Sequence, residues 1–187
     1  MSQELAEKLS NKFTKLTDIE CEATYFEKGE EHIPTTLGEN KKGVYVFCLN
    51  EDVCLKVGKA NSNSQARWNS HHYNLDRTTP STLTKSILSH LTMLKKYFEK
   101  KEIENFMLIL KEYGLDEQNI KQKIKEMPKK DVKDMCKKLE LKKWIKNNID
   151  RIEFVLDNTN DEIDFDTNLL EALIQFELKP IFEGKES

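Results

Sequence analysis

Two β-rich runs standing close together constrain the fold of this chain more than any other feature. GVYVFCLN at 43–50 and VCLKVG at 53–58 are separated by only a few polar residues, which is the pattern of an antiparallel hairpin. Side chains along a strand alternate between the two faces of a sheet. If Val44, Val46 and Cys48 share a core face with Val53, Leu55 and Val57, then Tyr45 falls on the opposite face with Phe47, Cys54 and Lys56. Pairing residue 48 with 53 sets Tyr45 directly across from Lys56, so the pattern predicts a phenol and an ammonium side by side.

The elements around the hairpin give the fold class. Leu5, Leu9, Phe13 and Leu16 recur at helical spacing over 3–16, and 28–42, with Gly29, Pro34 and Gly38, reads as a connecting loop. After the hairpin, KANSNS supplies capping residues for a helix over 65–73, and Thr79-Pro80 opens a second helix with Leu83, Ile87, Leu91, Leu94 and Phe98 as its apolar stripe. Helical patterning continues to 149, broken at Gly114 and Pro128. RIEFVLD at 151–157 reads as a third strand, NTND at 158–161 as a turn, and 167–179 as a last helix capped by Asp166 and stopped by Pro180. The expected architecture is α+β: a small three-stranded antiparallel sheet flanked by helices, with a helical lysine-rich insertion. Its expected parts are an N-terminal helix and connecting segment (1–40), a first core segment (41–94), the insertion (95–149) and a returning strand and helix (150–187).

Composition removes several function classes. The chain has 187 residues, enough for one domain with additions, and no run approaches the ~20 apolar residues of a membrane-spanning helix. The first residues, MSQELAEKLSNKF, contain acids and no apolar stretch, so a secretory leader is not expected and the reading is cytoplasmic. Cys21, Cys48, Cys54 and Cys136 form no CxxC pair, which points to reduced thiols rather than a disulfide framework or structural zinc. The net charge of −3 hides a segregation: 95–146 carries sixteen lysines against ten acids, whereas 150–187 carries three basic residues against eleven acids. A basic block is a candidate nucleic-acid surface, and a lysine-rich helix paired internally with glutamates is the plainer alternative.

Several residues in this order of elements resemble the GIY-YIG nuclease superfamily. Gly43-Val44-Tyr45 stands where the first tripeptide is expected and Lys56-Val57-Gly58 where the second is, with Lys56 in place of its tyrosine, as in the restriction-endonuclease branch. Arg67 and His71 match an Arg-x-x-x-His on the first helix. Glu171, within NLLEALIQFELKP, matches the acid of the last helix, although Ile181 and Phe182 follow Pro180 where the family often has asparagine. The resemblance covers about 43–90 and 151–184. It implies an endonuclease acting on DNA with one Mg²⁺ or Mn²⁺ held by Glu171, leaving a 5′-phosphate and a 3′-hydroxyl.

Phosphodiester hydrolysis gives each of these residues something to do. The attacking water must lose a proton, the pentacoordinate phosphorus must carry extra negative charge, and the leaving oxygen must be stabilised. Tyr45 is the candidate to accept or relay the proton, with the Lys56 ammonium favouring its ionised form. Arg67 suits two phosphate oxygens at once, Glu171 is a hard oxygen ligand, and His71 is a phosphate or nucleophile contact. Lys59 and His72 are candidates for substrate contact. The competing readings are ordinary ones: Tyr45 as a packing residue, Lys56 snorkelling from a sheet edge, Arg67 paired with Asp76, His72 in the role of His71, Glu171 as a solvated helix residue, and Trp68 and Tyr73 as core. The lysine surplus of the insertion would add phosphate contacts, with RNA an open substrate. Two cuts on a duplex need two sites or two binding events, which makes a homodimer an expectation that no heptad supports. The alternatives from other classes are a non-cleaving nucleic-acid-binding module with the same fold and a protein-interaction scaffold.

Overall fold

A computed structural model describes residues 2–29, 36–49, 53–61, 63, 65–70, 72, 82–157 and 165–182. The chain divides into two compact units, Met1–Ser70 with Lys146–Ser187, and His71–Ile145. The sequence pattern put the borders of the insertion at 94/95 and 149/150. The structure puts them at 70/71 and 145/146, so that the helices over 82–94 group with the lysine-rich segment and residues 146–149 group with the sheet.

The first unit is built on a sheet. Among the described residues, β1 (Cys21–Phe26), β2 (Lys41–Leu49), β3 (Val53–Asn61) and β4 (Ile149–Asp157) form one sheet in the order β1-β4-β2-β3, with every neighbouring pair antiparallel. The expected three strands are present and β1 is a fourth. Cys21, Ala23 and Tyr25 alternate with Glu22, Thr24 and Phe26, and this short strand pairs with β4, more than 120 residues away.

Two helices cover one face. Helix α1 (Gln3–Thr17) starts with Ser2, whose side chain accepts from the Leu5 amide at 3.3 Å, and ends at Asp18 with a left-handed φ of 59°. Its buried residues, Ala6, Leu9 and Phe13, recur at the spacing of one helix face. Helix α8 (Phe165–Leu178) contributes Leu170 and Ile174. These meet Val44, Val46, Cys48, Cys54, Val57, Ile152, Phe154 and Leu156 in one apolar cluster.

The hairpin register differs from the expected one. Tyr45 lies across from Gly58 and Phe47 across from Lys56, and an irregularity between Phe47 and Cys48 then brings Cys54 opposite Cys48 and Val53 opposite Leu49. Tyr45 and Lys56 share a face as expected, but they are offset along it rather than directly paired. The bulge turns Cys54 into the core cluster and away from the face assigned to it.

The second unit is helical. It holds α2 (Thr82–Ser89), α3 (Leu91–Leu94), a 3₁₀ turn (Lys95–Tyr97), α4 (Lys100–Glu112), α5 (Ile120–Glu126), α6 (Lys129–Lys138) and most of α7 (Leu141–Asn148). Gly114, at φ 69°, and Pro128 interrupt the helices where the sequence indicates. Phe98 stacks on Trp144 with centroids 4.3 Å apart, and Phe106 meets Phe98 edge-on at 5.1 Å.

Candidate active site at the edge strand

Strand β3 is an edge of the sheet, and the two motif glycines explain how side chains crowd its neighbourhood. A Cβ on Gly43 would lie 2.6 Å from the ring atoms of Trp68, and one on Gly58 would lie 2.6 Å from the Tyr45 hydroxyl. Contacts that close do not occur, so each glycine is the space another ring occupies. Gly43 seats the Trp68 indole and Gly58 seats the phenol end of Tyr45. Tyr45 is 2% exposed, with Phe47 edge-on at 5.6 Å and Trp68 edge-on at 6.1 Å.

The other half of the site reaches β3 from the helical face. Lys59 pairs in register with Val44, whose side chain is in the α1–α8 cluster, so the Lys59 side chain leaves the sheet towards α8. Its ammonium lies 3.2 Å from Glu171 Oε2 and donates to the side-chain oxygen of Asn168. Asn168 and Glu171 are three apart on α8 and so lie on one side of it. Glu171, with 20% of its side chain exposed, is half-buried.

Tyr45 and Glu171 therefore lie on opposite faces of the sheet, the phenol against Gly58 and the carboxylate on the Lys59 ammonium, and the structure does not bring the two onto one face. Lys56 is half-buried on the Tyr45 face. The expected helix over 65–73 is a short π-helix, Ala66–Ser70, directly after β3. Arg67 on it is exposed and Trp68 is fully buried. His71, Tyr73, Asp76 and the 158–161 turn lie outside the described residues. His72 is 2% exposed, so it does not stand at the surface as a substrate contact would.

The donor set at Glu171 fits a hard divalent cation. A carboxylate and an amide oxygen are offered from one helix side, and the Lys59 ammonium bridges both in the way a cation does. Among the described residues no three His, Cys, Asp or Glu side chains stand together as a metal cage, so water and phosphate would complete the shell. The segment after α8, where asparagine was absent, returns to β3: the Ile181 and Phe182 amides donate to the Cys54 and Leu55 carbonyls, each at 3.0 Å. This covers the Cys54–Leu55 end of the edge strand.

Three residues here escape sequence reading. Asn168 was legible only from its helical spacing to Glu171. Arg151 and Glu153 are charged residues within a strand, yet the structure buries both, at 0% and 1%, on the Tyr45 face. Their shared parity in RIEFVLD was the available signal.

The lysine-rich unit keeps much of its charge at the surface. Lys95 pairs with Glu117 at 3.1 Å, Lys138 with Glu112 at 2.7 Å, and Lys123 donates to the Gly114 carbonyl at 2.8 Å. Lys121, Lys129, Lys130, Lys142 and Lys143 are exposed on α5, α6 and α7. No helix among the described residues is long and apolar enough to cross a membrane. Comparison with protein-family models, with curated proteins and with solved structures finds no match for this chain.

Proposed function

We propose that the chain is a GIY-YIG-like endonuclease that hydrolyses DNA phosphodiester bonds with the help of one divalent metal ion, Mg²⁺ or Mn²⁺. One observation carries the reading. Tyr45 and Glu171, 126 positions apart in the sequence, are set beside neighbouring residues of β3 on its two faces, the phenol at Gly58 and the carboxylate at the Lys59 ammonium. In this reading Glu171, with Asn168 beside it, holds the cation, which supplies positive charge to the scissile phosphate and the leaving oxygen. Lys59 and Arg67 bind phosphate oxygens, and Tyr45, aided by Lys56, accepts or relays the proton of the attacking water. The exposed lysines of α5 to α7 add phosphate contacts that position duplex without reading its sequence.

The enclosure of Tyr45 favours one second reading, a module that binds nucleic acid without cutting it. Supercoiled plasmid incubated with Mg²⁺, or with EDTA instead, separates the two. The nuclease reading expects metal-dependent nicking with 5′-phosphate and 3′-hydroxyl ends. Intact plasmid, together with a gel shift that fades as salt rises, would select the binding module, and competition with single-stranded RNA would then show which nucleic acid it prefers.

A further inference from the structure

Arg151 and Glu153 are buried charges that the proposed chemistry does not use. In register with β2 they face Phe47 and Tyr45 respectively, so both lie under the aromatic side of the sheet. The guanidinium is 2.8 Å from Glu153 Oε1, donates from Nη2 to the main-chain oxygen of Trp68, and stands 5.3 to 5.4 Å from the ring centroids of Tyr45, Phe47 and Trp68. Stability alone is a weak reason for such an arrangement, because a well-packed apolar pair of similar volume usually serves a fold equally well.

The carbonyl that Arg151 grips lies in the π-helix Ala66–Ser70, a wide turn of the kind often found at functional sites. The residue before it is Arg67. The Trp68 indole is seated on Gly43 while its carbonyl is tied to Arg151, so the backbone next to Arg67 is held from two sides and the Arg67 side chain remains at the surface.

We propose that Arg151 is a positioning residue: through the Trp68 carbonyl it fixes the turn that presents Arg67 to a DNA phosphate, and Glu153 keeps the guanidinium aimed. What Arg67 touches rests on the nuclease reading, whereas the tether itself does not.

Arg151→Lys tests the tether, since lysine keeps a charge beside Glu153 and loses the forked donor. If that variant does not fold, Arg151→Met/Glu153→Leu removes the pair as a unit. The measurements are plasmid nicking, Kd for a fluorescein-labelled duplex, melting temperature, and amide hydrogen exchange over 66–70. Losing a supporting contact behind a working group should slow nicking ~10- to 100-fold. Exchange over 66–70 should quicken while that of β2 and β4 does not. Adding Arg67→Ala to the tether variant should cost less than ~2-fold more, because residues acting through one another are not additive.

The proposal is overturned if the two losses multiply, if the tether variant cleaves like the parent, or if exchange over 66–70 is unchanged. Should the parent chain bind duplex without nicking it, the nuclease reading fails and the same pair of substitutions, read on Kd, decides the tether. A parent chain that binds no duplex ends the nuclease reading and the phosphate role of Arg67, and amide exchange over 66–70 in the Arg151 variants then decides the tether.

Discussion

The two faces of the sheet are made of different material. Towards α1 and α8 the residues are mostly apolar and closely packed, with Lys42, Asp150 and, on the edge strand, Lys59 beside Glu171 and Asn168 as polar members. The opposite face carries three aromatic rings around a buried guanidinium and its carboxylate. The first face is held by burial of area, and the second by matched polar contacts that have value only as a set. The contrast shows where the chain is built for stability and where it is built for geometry.

Substitutions should expose that contrast most strongly at the centre of each face. Phe154→Ala, in the apolar cluster, should cost ~3 to 5 kcal/mol. Arg151→Met alone should cost ~3 to 5 kcal/mol as well, because it takes the guanidinium from beside the buried Glu153 carboxylate, whereas Arg151→Met/Glu153→Leu should recover most of that loss. Urea unfolding of the three variants checks this, and a double variant no more stable than Arg151→Met would refute the idea that the pair acts as a unit.

A smaller effect is expected where the faces meet. Gly58→Ala forces a methyl against the Tyr45 ring and should cost ~1 to 3 kcal/mol, with much of the loss relieved in a Tyr45→Ala background. Equal losses in both backgrounds would mean that the phenol is not what the glycine accommodates.

At the edge itself, stability and function should part. Lys59→Met removes a partly exposed ion pair and should change unfolding by less than ~1 kcal/mol, while nicking and duplex affinity fall. A large loss of stability would make Lys59 a structural residue instead.

An effect confined to alkaline pH concerns the thiols. Burial pushes Cys21 up to about 11 and Cys136 up to about 12 from an ordinary 9.0, so the folded chain keeps these protons at a pH where the unfolded chain releases them. Stability should therefore be unaffected below pH 9 and decline as pH rises from 9 through 11 and 12. Melting temperatures flat across that window would contradict the burial of these groups, as would alkylation of the native thiols as fast as in urea.

The fold was readable where a pattern has only one explanation. Alternation over 44–47 placed Tyr45 and Phe47 opposite Val44 and Val46, and the structure keeps that division. It could not supply the register, because Val53, Cys54 and Leu55 are all apolar and nothing among them marks which one a bulge turns inward. Strand β1 was missed because its partner is β4, so no local hairpin signal announces it. Arg151 and Glu153 were hidden for a related reason. A charge in a strand suggests solvent until its partner is known, and here each is the other's partner. The pairing of Lys59 with Glu171 was not legible, since the two residues are 112 positions apart and each was read only as a contact for substrate or metal.

The central claim is that phosphodiester hydrolysis takes place at the Gly58–Lys59 edge, with Glu171 and Tyr45 arriving from the two faces. The rate of Mg²⁺-dependent nicking by the parent chain, by Glu171→Gln and by Tyr45→Phe tests it most directly. The account predicts that the parent nicks plasmid and that each variant, still folded, loses ~100-fold or more, the scale of a lost transition-state contact. Metal-dependent nicking that survives both substitutions would contradict it.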